Sequence, residues 1–155
     1  MGMLIRRATE ADTSAILALV PRLVSAFVPP SWRDPIAMTA TDLDVVAKAI
    51  LSTGEDPSIF VAEADGAITG FVHVCSLEDY YRRRKHGHVA DLVVAAGHEG
   101  QGVATALLAR AEAWARAQGY DWMTLGVFEQ NLRAERLYRK LGYGRDVIRL
   151  LKPLS

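Results

Sequence analysis

Two short stretches of this chain carry residue types that can do chemistry. The first is Gly97-His98-Glu99-Gly100-Gln101-Gly102, which joins an apolar strand pattern to a helical pattern opening at Val103. Glycine has no Cβ, so the backbone there can approach a ligand closely. The N–H groups at a helix start lack partners within the helix, and with the helix dipole they favour an anion such as a pyrophosphate. The same loop also fits a tight turn that needs only positive φ. It is not a P-loop, because no Gly-Lys-Ser/Thr triplet occurs in the chain. Nor is it a Rossmann loop: Ala104 or Thr105 stands where the third glycine belongs. The second stretch holds Asn131 and Tyr138, seven residues apart and therefore on one helix face, with Ala134 between them leaving room for a ligand chain. A phenol placed so can donate a proton to a departing group, or can be an ordinary core aromatic. Two carboxylates at strand positions, Asp91 and Glu129, are candidate general bases, and each reads equally as a solvated surface acid.

Other reactive side chains carry less. The one cysteine, Cys75, excludes an intrachain disulfide framework and reads as a buried, inert thiol beside the apolar run Phe71–Val74. His86 and His88 alternate along a strand as metal ligands can, but no third ligand is evident, so they read as a surface pair. No metal is expected. The run Arg82-Arg83-Arg84-Lys85 reads as a solvated hairpin tip. Lys plus Arg equals Asp plus Glu at 18 each, so the net charge is zero, which argues against a nucleic-acid binder with a broad basic surface. No apolar stretch approaches the ~20 residues that span a bilayer. Neither nucleic acid nor membrane is therefore an expected partner, and the default location is cytoplasmic.

The elements that must position these residues follow from periodicity and punctuation. Met3–Arg7 reads as a strand. Thr9-Glu10-Ala11-Asp12 caps a helix whose apolar residues run from Ile16 to Val24, bent or split at Pro21. An irregular stretch, Phe27–Asp34, precedes a second helix opening at Thr41-Asp42-Leu43-Asp44 and ending at Ser52-Thr53-Gly54. Ile59–Ala64 and Ala67–Ser76 flank Asp65-Gly66, a hairpin signal. Then come a charged turn over Glu78–Lys85, a strand over Gly87–Ala95, and the glycine loop. The helix from Val103 stops at Gln118-Gly119. Asp121–Phe128 reads as a strand, Asn131–Leu141 as a helix stopped by Gly142, and Arg145–Leu151 as a last strand. Hairpins and strand–helix–strand units together predict an α/β fold with a mixed sheet and helices on both faces. A chain of 155 residues with no compositional break reads as one domain, 1–155.

The two motifs together resemble those of the GNAT superfamily of acyl-CoA-dependent N-acyltransferases. That family carries Arg/Gln-x-x-Gly-x-Gly/Ala where this chain has Glu99-Gly100-Gln101-Gly102-Val103-Ala104. Its second signature is Asn, then Ala three on, Leu-Tyr, and Leu-Gly-aromatic, matched here from Asn131 to Tyr143. The resemblance is specific over residues 90–143 and implies a central sheet that splays open.

It also implies acetyl-CoA as the acyl donor and cosubstrate. On it, the backbone of Leu92, Val93 and Val94 holds the pantetheine arm. The amides of Gly100, Gln101, Gly102, Val103, Ala104 and Thr105 hold the pyrophosphate. Asn131 touches the cofactor near its thioester, with Ala134 beside it. Tyr138 protonates the departing thiolate, and the Val94 amide is the oxyanion donor. Phe27, Trp32 and Tyr80, with Tyr81, fall where acceptor-binding segments lie; they line an aromatic pocket for a small-molecule or peptide amine, or pack a contact within a homodimer. Glu99 departs from the pattern, because a carboxylate beside a pyrophosphate is unfavourable. That departure, with the lack of one clear general base, supports the rival expectation, a CoA-binding regulatory module without catalysis.

Overall fold

Asp65 and Gly66 take φ of 51° and 77°, the left-handed pair that a two-residue hairpin requires. β2 (Ser58–Ala64) therefore folds back on β3 (Ala67–Glu78). The structure, a computed structural model, describes residues 2–154. β1 (Leu4–Arg7) pairs antiparallel with β2, and β4 (Lys85–Val94) pairs antiparallel with β3. β5 (Met123–Leu125) runs parallel to β4, which completes a mixed five-stranded sheet in the order β1-β2-β3-β4-β5.

Helices cover both faces. Pro21 lacks an N–H, and the first helical stretch breaks there into α1 (Thr13–Leu19) and α2 (Arg22–Ser25). α3 (Pro35–Ile50) begins six residues before the expected start at Thr41. The Asp34 carboxylate accepts from the Ile36 N–H at 3.0 Å and Pro35 fills the first helical position, so this cap wins. Asp42 and Asp44, read above as cap residues, consequently stand mid-helix. α4 (Val103–Ala117) and α5 (Leu132–Lys140) lie where periodicity placed them.

The core has two layers. Leu107, Leu108, Ala111 and Trp114 of α4 pack on Phe60, Val72, Val74 and Val89. On the opposite face Ile16 and Val20 of α1 and its C-cap, with Val46 of α3, pack on Ile59, Val61, Phe71 and Val93. Removing such apolar side chains from water contributes roughly 1.5–3 kcal/mol each. These layers fix α3 and α4 on opposite sides of β4.

Two expected strands are corrected. β5 has three residues instead of spanning Asp121–Phe128. Arg145–Leu151 forms no strand at all, and its apolar residues face solvent, Val147 at 81% and Leu150 at 90% exposure. A strand needs a neighbour for its backbone groups, and no strand of the chain's own sheet pairs with this segment.

Candidate functional site

The site begins with a bulge. His73 pairs with Asp91 and Val74 with Val89, so Ala90 is the extra residue. Val89 packs in the α4 layer, whereas Asp91 and Val93 turn to the α3 side. The bulge thus aims the Asp91 carboxylate across the face that α3 covers. There its Oδ2 lies 2.8 Å from His73 Nδ1, with the two side chains only 13% and 5% exposed.

Beyond the bulge, β4 presents an edge that no strand among the described residues covers. The Ala95 N–H donates to the Thr69 carbonyl at 2.8 Å. Antiparallel pairs alternate, so Gly70–Val94 and Val72–Leu92 are the non-hydrogen-bonded pairs. The N–H and C=O groups of Val94 and Leu92 therefore point away from β3. β5 cannot take them, because it pairs with β4 only from Gly87 to Val89. The sheet splays past that point, and a cleft of about 1310 Å³ opens there, bordered by β4, α3, the glycine loop and α5.

The glycine loop closes one end of this cleft. Gly100 and Gly102 take φ of 75° and 82°, a region that costs a side-chain-bearing residue ~1–2 kcal/mol. Gly102 caps α4 without a side chain, so the first-turn amides of Val103, Ala104 and Thr105 have no side-chain acceptor. Those three residues and Gly100 line the cleft; Gln101 does not, its amide reaching the Gly97 carbonyl at 3.3 Å.

Glu99 lines the cleft beside Gly100 and is paired there by Arg22, a residue that the sequence did not single out. Arg22 of α2 donates from Nη2 to the Glu99 carboxylate at 2.5 Å and from Nε to the Val94 carbonyl at 2.8 Å. The Gly97 N–H also donates to Glu99, at 2.9 Å. Hydrogen bonds from backbone amides and the Arg22 guanidinium hold this carboxyl below its ordinary range. No local pattern links Arg22 to Glu99, which is 77 residues away.

At the far wall, Tyr138 and Ala134 of α5 line the cleft with Asn131. Asn131 is the N-cap of α5, accepting from the Ala134 N–H at 3.3 Å. The Tyr138 hydroxyl has no partner among the described residues, and burial pushes its pKa up, so it keeps its proton.

Asp42 is the second residue missed. It stands on the cleft-facing side of α3 with Asp34, Met38 and Thr41, and it makes no ion pair among the described residues. Burial, and then the charge of Asp91, raise its pKa to about 6. Its i, i+4, i+8 spacing from Asp34 and Met38 was legible, but only with α3 starting at Pro35.

The aromatic candidates divide. Phe27 stacks on Phe128 with ring centroids 4.9 Å apart, and both line the cleft with Trp32. Tyr80 does not: it is 78% exposed and packs edge-on against Tyr81 at the hairpin tip. That tip is as charged and solvated as its sequence suggests, with Arg84 bonded to Asp121 and Arg82 over Trp122. Glu129 is exposed and does not line the cleft.

His86 is buried rather than superficial. It stacks on Trp122 and shares the Thr124 hydroxyl with His88, at 3.0 and 2.8 Å. β5 covers the pair, which periodicity along β4 alone does not reveal. Cys75 is half-buried and burial raises its thiol pKa. No group of three or more His, Cys, Asp or Glu among the described residues is arranged to hold a metal ion. No helix among them is long and apolar enough to cross a membrane.

Residues 26–143 match the family model described as the acetyltransferase (GNAT) family. The chain is 33% identical over 114 residues to human N-acetyltransferase 8, covering 72% of this chain and 49% of that protein. It is 34% identical over 128 residues to human N-acetyltransferase 8B, covering 82% of this chain and 56% of that protein. The chain spans about half the length of these curated relatives. A putative acetyl transferase from Pyrococcus furiosus has the same fold, with a TM-score of 0.79 at 25% identity over 99% of this chain and 100% of that one. An aminoglycoside N-acetyltransferase in complex with CoA shares the fold at a TM-score of 0.76 and 19% identity, over 99% of this chain and 95% of that one.

Proposed function

The chain belongs to the acetyltransferase (GNAT) family, and we propose that it is an N-acetyltransferase moving the acetyl group of acetyl-CoA onto a primary amine of a small molecule or peptide, by direct attack in a ternary complex. One observation carries this reading: the outward Val94 N–H, the bare first turn of α4 and the Tyr138 hydroxyl all open on one cleft.

In this reading the pyrophosphate of acetyl-CoA lies on the amides of Gly100 and of Val103 to Thr105, where partial positive charge is already in place. The pantetheine runs along the free edge of β4 beside Leu92 and Val94, like an added strand. The neutral amine attacks the thioester carbonyl, and a C–N bond forms. The Val94 N–H donates to the oxyanion that develops. The C–S bond then breaks, and Tyr138 gives its proton to the leaving sulfur. The proton lost by the amine passes to the Asp42–Asp91 pair, of which Asp42 is the member free of a side-chain partner. Asn131 and Ala134 flank the thioester end.

The rival reading, a CoA-binding module without catalysis, drew on Glu99 and on the lack of one clear general base. The Arg22 pair, which offsets the Glu99 charge, and the Asp42–Asp91 pair at the cleft support the catalytic reading over it. The reading includes one domain over 1–155, working in the cytoplasm. It also includes a homodimer, supported by an uncovered apolar run at the C-terminus, Val147, Ile148, Leu150, Leu151 and Leu154, all more than half exposed.

Thermal melting with acetyl-CoA, followed by thiol release across a panel of amines, tests the proposal. A raised Tm and amine-dependent CoA release are expected. An unmoved Tm with acetyl-CoA, CoA and longer acyl-CoAs would end it.

A further inference from the structure

The acceptor half of the cleft carries two opposite charges that do not neutralise each other. Asp42 lies on the α3 wall, as described. Arg33 lies just before the start of that same helix and lines the same cleft. Neither makes an ion pair among the described residues. Two other acids that line the cleft have partners elsewhere: Asp34 caps α3, and Asp91 is engaged by His73.

Arg33 is also fixed in place. Its guanidinium carbon sits 4.6 Å from the Trp32 ring centroid and 5.2 Å from that of Phe128, and Phe128 is itself stacked on Phe27. Stacking of this kind orients the planar group and leaves its edge for a partner. Its Nε is buried without an acceptor, so the group's donor capacity is unspent. An ordered, unpaired guanidinium in a ligand cleft matches a carboxylate or another oxyanion, which it can grip through two parallel bonds.

The spacing sets the shape of the ligand. Asp42 is seven residues beyond Pro35 along α3, a rise of ~10 Å at 1.5 Å per residue. Between them the wall carries Ala37 and Met38, flanked by Asp34 and Thr41 next to the two charged ends, with the Phe27–Phe128 stack nearby. We infer that the acceptor is an extended amine whose far end carries an oxyanion bound by Arg33, with the reacting nitrogen at Asp42 and Asp91 and the middle lying along Ala37 and Met38. About three extended residues span this distance at ~3.3–3.6 Å each, so a short peptide with a free C-terminal carboxylate, or an acidic third side chain, has the required dimensions. This rests on the acetyl-transfer reading and names the acceptor for it.

The experiment compares the tripeptide Ala-Leu-Ala as free acid and as C-terminal amide, which differ only in the distal charge. Binding to the CoA-saturated protein is measured by calorimetry, and acetyl transfer from acetyl-CoA by thiol release. The wild type is expected to favour the acid at least tenfold in Kd and in kcat/KM. Arg33→Gln is expected to bring that ratio close to one by weakening the acid more than the amide. Arg33→Lys, which keeps the charge and loses the fork, should fall between. Melting curves of both variants establish that they fold. An acid-to-amide ratio near one in the wild type, or a ratio that survives Arg33→Gln, overturns the inference, as does an Arg33→Gln effect confined to acetyl-CoA affinity. The binding arm decides the matter even without detectable transfer: acid-selective binding lost in Arg33→Gln supports the anion site while the failure falls on the acetyl-transfer reading.

Discussion

Arg22 ties Glu99 to β4: one side chain donates to the Glu99 carboxylate at 2.5 Å and to the Val94 carbonyl at 2.8 Å. The ion pair neutralises an acid that would otherwise face the proposed diphosphate site. It also couples the glycine loop to the end of the strand whose edge is proposed to hold the pantetheine. Both partners are about one-third exposed, so the pair matters for position and local charge more than for global stability.

Arg22→Ala is therefore expected to weaken acetyl-CoA binding about tenfold, with a small change in Tm, because a freed carboxylate repels the pyrophosphate. Adding Glu99→Gln to that variant should restore most of the affinity. Calorimetric titration of the two single variants and the double variant gives the coupling directly.

Tyr138→Phe removes the proposed proton donor and keeps the ring. A fall in kcat of ~10²-fold is expected from the usual worth of positioned acid catalysis, with acetyl-CoA affinity within threefold of wild type. Single-turnover measurements separate the two. Unchanged chemistry in Tyr138→Phe would rule out this hydroxyl as the proton donor.

Asp42 gives the reaction its acid limb. Its pKa is about 6, and a base works when deprotonated, so kcat/KM should rise with pH more steeply below that value than above it, where only deprotonation of the acceptor amine still raises it. The groups facing Asp42 are Asp91 on β4, held by His73 on β3, with His88 further along the same face. Asp42→Asn should lose the limb and most of the rate.

The same group acts on stability in the opposite direction. Between the ordinary aspartate value of 3.8 and about 6, the folded carboxyl holds a proton that the unfolded chain has released. Stability therefore falls as pH rises through that window, and the cost persists above it. Asp42→Asn is expected to raise Tm at pH 8 and to leave it unchanged at pH 3.5. Scanning calorimetry at both values checks the sign.

Gly102→Val puts a β-branched side chain at φ 82°, in the mouth of the cradle. A stability loss of ~1–2 kcal/mol and loss of detectable acetyl-CoA binding are expected. Gly66→Val, at φ 77° in the hairpin turn, should carry a similar stability loss with binding retained.

Local rules sufficed for what depends on neighbours in the chain. The Asp65-Gly66 hairpin, the break at Pro21, the glycine loop opening α4 and the shared edge of Asn131, Ala134 and Tyr138 follow from turn chemistry, a missing N–H and helical repeat. These place the cradle and the proposed acid, and they point to the family. Local rules misplaced the start of α3, because an Asp-Pro cap outcompeted a weaker signal six residues on. They also gave Arg145–Leu151 a strand that no neighbouring edge completes.

The rest was decided by contacts across the chain. A single extra residue at Ala90 determines that Asp91 faces α3, and the short β4–β5 ladder leaves the outer edges of Leu92 and Val94 without a strand partner, the Val94 carbonyl taking Arg22 instead. Arg22 meets Glu99 over 77 residues of chain, and Asp42 meets the field of Asp91 through packing of α3 on the sheet. Strand periodicity and capping are properties of adjacent residues, so the sequence carries them. Charge pairing and desolvation are properties of groups brought together by the core, and no stretch of the chain holds them until it has folded.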